Sequence, residues 1–336
     1  MSIGDVDVRG LKVSNPESFE AFKDEHLKYL YEKSTVGLDP NTDLVIFATD
    51  DASLETGEVT SISIQHGISW DRPIRLMTNR KLLSWGLGEN LRRWMLRRNA
   101  LKKFRRATFK VCVDFNFLNW YRTFYDGDSN IRVILNCTDF VDCDRFLKKM
   151  EGSCNLSSKP IRVLFARRFE EFRGTKLMAQ AVEIVNNRYP EIEFTFAGYG
   201  SDSDFLKRKF KKNDSISFIE FTSEESLEIN YSHDISVIPS LGSEGSSFSV
   251  AEAMGAGSAV IATDVGGIAN IVLDGFNGIL IRAEVQELAD AIMDLAVNTA
   301  YRKKLCEQAY NTATTTLSLE KWRKEWTLLL SDALTK

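Results

Sequence analysis

The sequence predicts an α/β protein of two lobes, each a parallel sheet flanked by helices, and three observations carry that prediction. The chain has 336 residues, or about two domains at roughly 150 residues each. Short apolar runs alternate with helical segments along its length, the rhythm of strand, crossover helix and parallel strand. A polar stretch, EGSCNLSSKP (151–160), divides the halves and reads as a linker.

In the first half the strand candidates are DLVIFATD (43–50), VTSISIQHG (59–67), ATFKVCVDF (107–115) and IRVILN (131–136). Between them lie an amphipathic segment, 16–33, with Pro16 in its first turn, and a long basic stretch, 74–106. The second half continues with strands at 161–166, 192–198, 216–221, 234–240, 258–264 and 278–281. A helical pair at 286–298 and 301–312 closes it, followed by an amphipathic helix at 318–334 with two tryptophans. The expected domains are therefore 1–155, 156–316, and a tail, 317–336, that returns to the first lobe.

Composition narrows the function. With 43% hydrophobic and 27% charged residues the chain can bury sizeable cores, which excludes disorder or a coiled coil as a description of the whole. A net charge of −4 offers nucleic acid no general attraction, so any phosphate binding must be local. Five cysteines without a CxxC pair argue against a disulfide framework or a zinc cluster and fit a cytoplasmic protein. No apolar run approaches the roughly 18 residues of a membrane span, and MSIGDVDVRG is not built like a secretory signal. A soluble chain, at most peripheral to the inner face of a membrane, is expected.

In open parallel sheets, ligands sit beyond the carboxyl ends of strands, where helix N-termini present unpaired amides. The loop after DISVIPS reads LGSEGSSFSVAEAMGAG, with Glu244 ahead of small residues and Glu252 eight positions later in the next helix. The amides of Ser246, Ser247 and Phe248 would face a ligand there. A competing reading makes Ser249 and Glu252 a capping box and leaves Glu244 solvated.

The longer string from Pro239 to Leu280 resembles the donor-binding region of retaining glycosyltransferases of the GT-B fold, glycosyltransferase family four. The resemblance rests on Pro239, Ser240, Glu244, Gly245, Glu252, Ala253, Met254, Gly257, Gly266, Gly267 and Gly278. It implies two Rossmann-like lobes facing a cleft, with Glu252 on the nucleotide ribose, Glu244 on the donor sugar, and the loop from Ser246 through Ser247 and Phe248 to Ser249 holding sugar and distal phosphate. VLFARRFEEFRGTKL (163–177) resembles the family's Gly-Arg and Lys-Gly element, with Arg168 at the arginine and Arg173 in place of the lysine. Two cations there would stabilise a diphosphate leaving group, and on that ground no metal is expected. Gly198 and Gly200 resemble the turn beside the base, and His66-Gly67 the family's His-Gly at the cleft, where His66 would reach the donor sugar or phosphate. Glu220 and Asn270 depart from the family pattern, as does Leu135 where a proline is usual; Asn136 and Asp139 keep to it. The first lobe opens at what reads as a second strand, with no Gly-Gly turn before DLVIFATD, so either the native chain extends upstream or the activity is degenerate.

Two further features call for a reading. LRRWMLRRNALKKFRR (91–106) interleaves eight cations with apolar residues, as in a helix lying on anionic lipid or an ordinary lobe helix with a solvated face. Asp-x-Asp triplets at Asp5/Asp7, Asp126/Asp128 and Asp142/Asp144 share no context and are read as chance. The absence of an early G-x-G-x-x-G or a G-x-S-x-G disfavours a dinucleotide oxidoreductase and an α/β-hydrolase. The resulting expectation is a hexosyltransferase using a UDP- or GDP-sugar, without other cofactor, on a glycan or lipid-linked acceptor in polysaccharide synthesis. The alternatives are an epimerase or phosphorylase of the same fold, and a degenerate or truncated nucleotide-sugar-binding protein without transferase activity.

Overall fold

The computed structural model describes residues 24–68, 86–152, 160–242 and 244–335. The chain forms two parallel sheets, of four and six strands.

After helix α1 (Asp24–Ser34), the first sheet is built from β1 (Leu44–Phe47), β2 (Thr60–Gln65), β3 (Phe109–Cys112) and β4 (Ile131–Val133), with α2 (Gly86–Phe104) and α3 (Phe115–Arg122) on either side of β3 in sequence. The part of the predicted first helix before Asp24 lies outside the described residues. All three strand pairs are parallel, and the spatial order is the sequence order, β1-β2-β3-β4. Among the described residues this sheet therefore has no point at which the winding reverses. One face is packed by Leu101, Phe104, Phe117, Leu118 and Tyr121 from α2 and α3. The other is packed by Leu329 and Ala333 of the terminal helix against Ile62, Phe109 and Val111. That helix is also tied to the lobe by the Arg132–Asp332 ion pair.

The next helix, α4 (Cys143–Gly152), shifts the expected boundary. Its Phe146 and Met150 join the core of the second lobe with Val141, and Phe146 stacks on Tyr310 with ring centroids 4.1 Å apart. The chain has thus crossed between lobes before the polar junction at 151–160, most of which (153–159) lies outside the described residues. Sequence polarity marked the junction, whereas packing marks the crossing.

The second lobe alternates regularly: β5 (Arg162–Ala166), α5 (Thr175–Arg188), β6 (Glu193–Ala197), α6 (Ser203–Lys209), β7 (Ile216–Ile219), α7 (Ser226–Tyr231), β8 (Ile235–Ile238), α8 (Phe248–Gly255), β9 (Ala259–Thr263) and β10 (Ile279–Ile281). Helices α9 (Val285–Val297), α10 (Thr299–Thr316) and α11 (Leu319–Leu334) complete the chain. The sheet order β10-β9-β8-β5-β6-β7 is doubly wound, and its order reverses between β5 and β8. Every residue of β8 and β9 is buried, which is why both read as unbroken apolar runs.

The lobes meet backbone to backbone. A Cβ on Gly67 would lie 2.8 Å from the Gly245 nitrogen, and one on Gly267 would lie 2.6 Å from Asp114 Cβ. Polar contacts flank this seam. The Asn136 amide nitrogen donates to Ser246 Oγ at 2.9 Å and its side-chain amide to Ser246 O at 2.8 Å. Asn270 Oδ1 accepts from the amides of Phe115 (3.0 Å) and Asn116 (3.3 Å), capping α3 from the opposite lobe. Gly67 has φ +106°, so a side chain there meets both backbone strain and the facing chain. Gly67→Ala is expected to lower stability by about 1–3 kcal/mol, read as a fall in the urea midpoint; an unchanged midpoint would refute the seam's rigidity.

Candidate active site

The reversal between β5 and β8 leaves a crevice at their carboxyl ends, and a cavity of about 380 Å³ fills it. Its walls come from Ala166–Arg168 after β5, Arg173, Gly198 and Tyr199 after β6, Phe221, Ser223 and Ser226 before and at the start of α7, and Glu244, Ser247, Phe248, Ser249 and Glu252 after β8.

Local packing brings these segments together. Gly174, at φ +82°, lies so close under the Pro239 carbonyl that a Cβ would come within 1.8 Å of its oxygen. Leu241 N donates to Phe172 O at 2.9 Å, so the Arg173 loop is bound to the end of β8. Gly198 packs equally closely on the Arg167 carbonyl, and Gly200 on that of Phe169.

At the centre of the cavity floor is Glu244, whose Oε1 accepts from Arg167 Nη2 at 2.6 Å, Arg173 Nη1 at 2.5 Å and Ser240 Oγ at 2.5 Å. Burial alone would raise this carboxyl, but the two guanidiniums and Ser240 hold it below the usual glutamate range. Glu244 is therefore ionised, with its Oε2 left over from this set of bonds. Burial lowers Arg167, which Glu244 counteracts. Glu252 differs: burial raises its carboxyl, and the Ser226 hydroxyl and the Arg167 charge oppose the rise only in part. The two carboxylates of one crevice thus hold their protons with different strengths, a pattern common at functional sites.

Helix α8 begins at Phe248 with Ser247 as its N-cap, and no side-chain capping bond forms. The Ser249–Glu252 capping box is accordingly absent: Ser249 lies inside the first turn, and Glu252 faces the cavity. Ser247 is 4% exposed, and its hydroxyl has no hydrogen-bond partner among the described residues, a polar group that a ligand would satisfy.

Of the residues singled out from sequence, Arg168, Arg173, Gly198, Glu244, Ser247, Phe248, Ser249 and Glu252 line one cavity. Three do not. Ser246 is engaged by Asn136 at the lobe seam. Gly200 supports the turn from behind. The His66 ring is exposed, its Nε2 lying 2.6 Å from Ala48 O, and only the backbone of His66 approaches Gly245.

Both adjacent arginines line the cavity, in different ways. Arg167 is the buried cation on Glu244, whereas the Arg168 side chain is 59% exposed at the rim, with Glu170 3.9 Å away. Neighbours on extended chain point opposite ways, so one of the pair had to face inward. The preceding strand is buried on both faces and gave no polarity pattern to say which. Asp50 also escaped sequence reasoning. It lies in the turn after β1, where burial and the neighbouring Asp51 push its carboxyl up to about 7. Of the Asp-x-Asp pairs, Asp128 is held by the Tyr121 hydroxyl (2.7 Å) and Lys110 (3.2 Å), and Asp142 caps the Arg145 amide (2.9 Å). Asp5 and Asp7 lie outside the described residues.

Residues 160–298 match the family described as Glycosyl transferases group 1, so this domain occupies the second lobe. An uncharacterized glycosyltransferase of Methanocaldococcus jannaschii is 26% identical over 229 residues, covering 66% of this chain and 58% of the relative. The D-inositol 3-phosphate glycosyltransferase of Paenarthrobacter aurescens is 27% identical over 195 residues, covering 53% and 48%. The chain spans about half the length of the curated relatives it matches. Sucrose-phosphate synthase from Thermosynechococcus elongatus superimposes with a TM-score of 0.69 at 17% identity, over 93% of this chain and 77% of that one. HepE of Anabaena, solved with UDP, gives 0.68 at 17% identity, over 92% and 82%. The pneumococcal O-GlcNAc transferase GtfA, solved with UDP and GlcNAc, gives 0.66 at 18%, over 91% and 60%. The two-lobed architecture is therefore the GT-B one.

Breaking a buried ion pair by removing one partner costs about 3–5 kcal/mol, whereas an exposed pair contributes about 0–1. Arg167→Met should therefore destabilise the fold severely, while Arg168→Ala should leave the denaturation midpoint nearly unchanged. Equal effects from the two would refute the assignment of Arg167 as the buried counter-ion.

Proposed function

We propose that this chain is a retaining, metal-independent glycosyltransferase that moves a hexosyl group from a nucleoside diphosphate sugar to a saccharide or lipid-linked saccharide in polysaccharide synthesis. The observation that carries this reading is the crevice itself, where Glu244, Glu252, Arg168, Arg173 and the start of α8 converge on one cavity at a sheet's switch point.

In this reading Glu252 accepts from the ribose diol. A carboxylate suits that task because its paired oxygens form charge-assisted bonds. The exposed ring of Tyr199, at the end of β6, offers the base a stacking surface. The first amides of α8 and the spare Ser247 hydroxyl receive the sugar and distal phosphate, where the helix dipole favours negative charge. Glu244, already ionised, presents Oε2 to the sugar hydroxyls. Arg173 and Arg168 face the diphosphate and stabilise the charge that grows on it, in place of a divalent cation.

The bond between the anomeric carbon and the β-phosphate oxygen breaks, its electron pair passing to the diphosphate. The acceptor hydroxyl attacks from the same face, and its proton goes to the leaving phosphate oxygen. No side-chain nucleophile is needed. HepE and GtfA were solved with UDP, which favours a uridine donor over a guanosine one. The acceptor meets the first-lobe edge, where Asp50 and the His66–Gly67 turn lie. The thiols of Cys112, Cys137, Cys143 and Cys306 are free, in keeping with a cytoplasmic setting. No helix among the described residues is long and apolar enough to cross a membrane. A lipid-linked acceptor would then be met by peripheral contact through residues 91–106.

Thermal shift with UDP, GDP and ADP, with and without chelator, tests the donor site. A nucleotide at about 100 times its dissociation constant adds roughly 2.7 kcal/mol. Selective stabilisation by UDP that survives chelation is expected; no shift with any of them would overturn the reading.

The pH dependence has a definite sign. Because the Glu252 carboxyl lies above the usual range and Glu244 below it, Glu252 gains its proton before Glu244 as the pH falls from neutrality, and the ionised acceptor for the ribose is lost. UDP affinity should therefore weaken on acidification in the parent chain and change less in Glu252→Gln, as measured by calorimetric titration. Parallel pH profiles would remove Glu252 from the ribose.

A further inference from the structure

We infer that the outer flank of the first lobe, built jointly by α2 and α3, is a docking surface for an anionic phospholipid bilayer. Residues 90–106 contain eight Lys and Arg and no acid, in a chain whose overall charge is −4. Two of these cations are committed inward: Lys103 Nζ donates to Asp51 O at 2.8 Å, and Arg106 to Ser53 O at 3.0 Å and Asp24 at 2.8 Å. Arg98, Lys102 and Arg105 are exposed, and Arg97 is half-buried.

A helix of a soluble lobe normally buries its large apolar side chains. Here, among the described side chains, α2 does so near its end, at Leu101 and Phe104. Its earlier turns leave Leu91 57%, Trp94 44% and Met95 51% exposed, and positions 91, 94 and 95 share one helical face. Phe124, in the turn that follows α3, is 53% exposed and adds a ring that the run at 91–106 could not show.

The cations are interleaved with these rings. The Arg98 guanidinium lies 5.2 Å over Trp94, Arg97 lies 5.5 Å over Phe124 and 5.9 Å over Trp120, and Arg105 lies 4.0 Å over Tyr125. Large apolar and aromatic side chains at the level of exposed cations are the chemistry of an interfacial anchor. The rings enter the headgroup boundary, and the guanidiniums pair with lipid phosphate. The excess of cations over acids on this flank, where Asp24 answers only Lys103 and Arg106 by ion pairs, favours a lipid surface over a protein partner. The surface stands independently of the transfer reading; together, the two specify a lipid-linked acceptor.

Co-sedimentation of the full chain with vesicles tests this, comparing phosphatidylcholine alone with phosphatidylcholine containing phosphatidylglycerol, at low and high salt. Binding only to the anionic vesicles, weakened by salt, is expected. Arg98→Gln/Lys102→Gln removes two surface charges and should weaken it by roughly 30-fold. Trp94→Ala/Met95→Ala should weaken it while keeping the salt dependence. Each variant is checked for an unchanged melting curve and UDP-induced shift, so loss of lipid binding stays separate from failure of the donor site. Equal binding to neutral vesicles, no binding to either, tighter binding to a single-stranded oligonucleotide, or variants that bind like the parent would each overturn the proposal.

Discussion

The burial of one carboxylate, Glu244, governs the organisation of this molecule. A carboxylate taken from water must be paired or neutralised, and an isolated one would be too costly to keep ionised. Arg167, Arg173 and Ser240 supply the pairing, and each arrives on a different segment. Holding all three on one oxygen requires that the ends of β5 and β8 and the Arg173 loop meet within hydrogen-bond reach. The close approach of Gly174 to Pro239 and of Gly198 to the Arg167 carbonyl follows from that requirement, because no side chain fits at either place. The same residue reaches the seam through its backbone: Glu244 O accepts from Gly267 N of its own lobe at 2.7 Å, and its carbonyl carbon would lie 3.2 Å from a Cβ on Gly67 of the other. Charge pairing in the crevice and contact between the lobes are thus properties of one short loop.

That coupling bears on how the crevice works. A pair of arginines fixed on a glutamate before any ligand arrives constitutes a preorganised field, and little rearrangement is needed when negative charge enters. The exposed Arg168 is different in kind. Its side chain has room to move, so it suits a contact made and released with each ligand, whereas Arg167 suits a permanent one. Glu252, half-buried with only the Arg167 charge and the Ser226 hydroxyl to oppose burial, is the carboxylate of the crevice that gives up its charge more readily.

The sequence was most legible where burial is complete. Strands β8 and β9 are closed on both faces and show as unbroken apolar runs, and the loop between β8 and α8 carried enough spaced small and acidic residues to be read as a ligand site. It was least legible where one residue's role depends on a distant segment. Helix α4 went unread because its two apolar anchors, Phe146 and Met150, stand among charges, and only contact with Tyr310 and the second core shows them as packing residues. The inward turn of Arg167 is set by Glu244, 77 residues away in sequence. His66 looked like a ligand-facing group, yet its ring meets the Ala48 carbonyl, a partner 18 residues upstream that no local pattern reveals.

The seam between the lobes is made largely of glycine and main chain, and this has a consequence for descent. Surfaces that recognise each other through side chains must change together, residue against residue. A seam whose closest approaches are at Gly67, Gly245 and Gly267 asks chiefly that those positions stay empty and that the ties through Asn136 and Asn270 be kept. The first lobe is then free to diverge in nearly every exposed side chain, or even to be exchanged for another, without losing its fit to the second. The family match, at residues 160–298, falls within the second lobe beside such a joint.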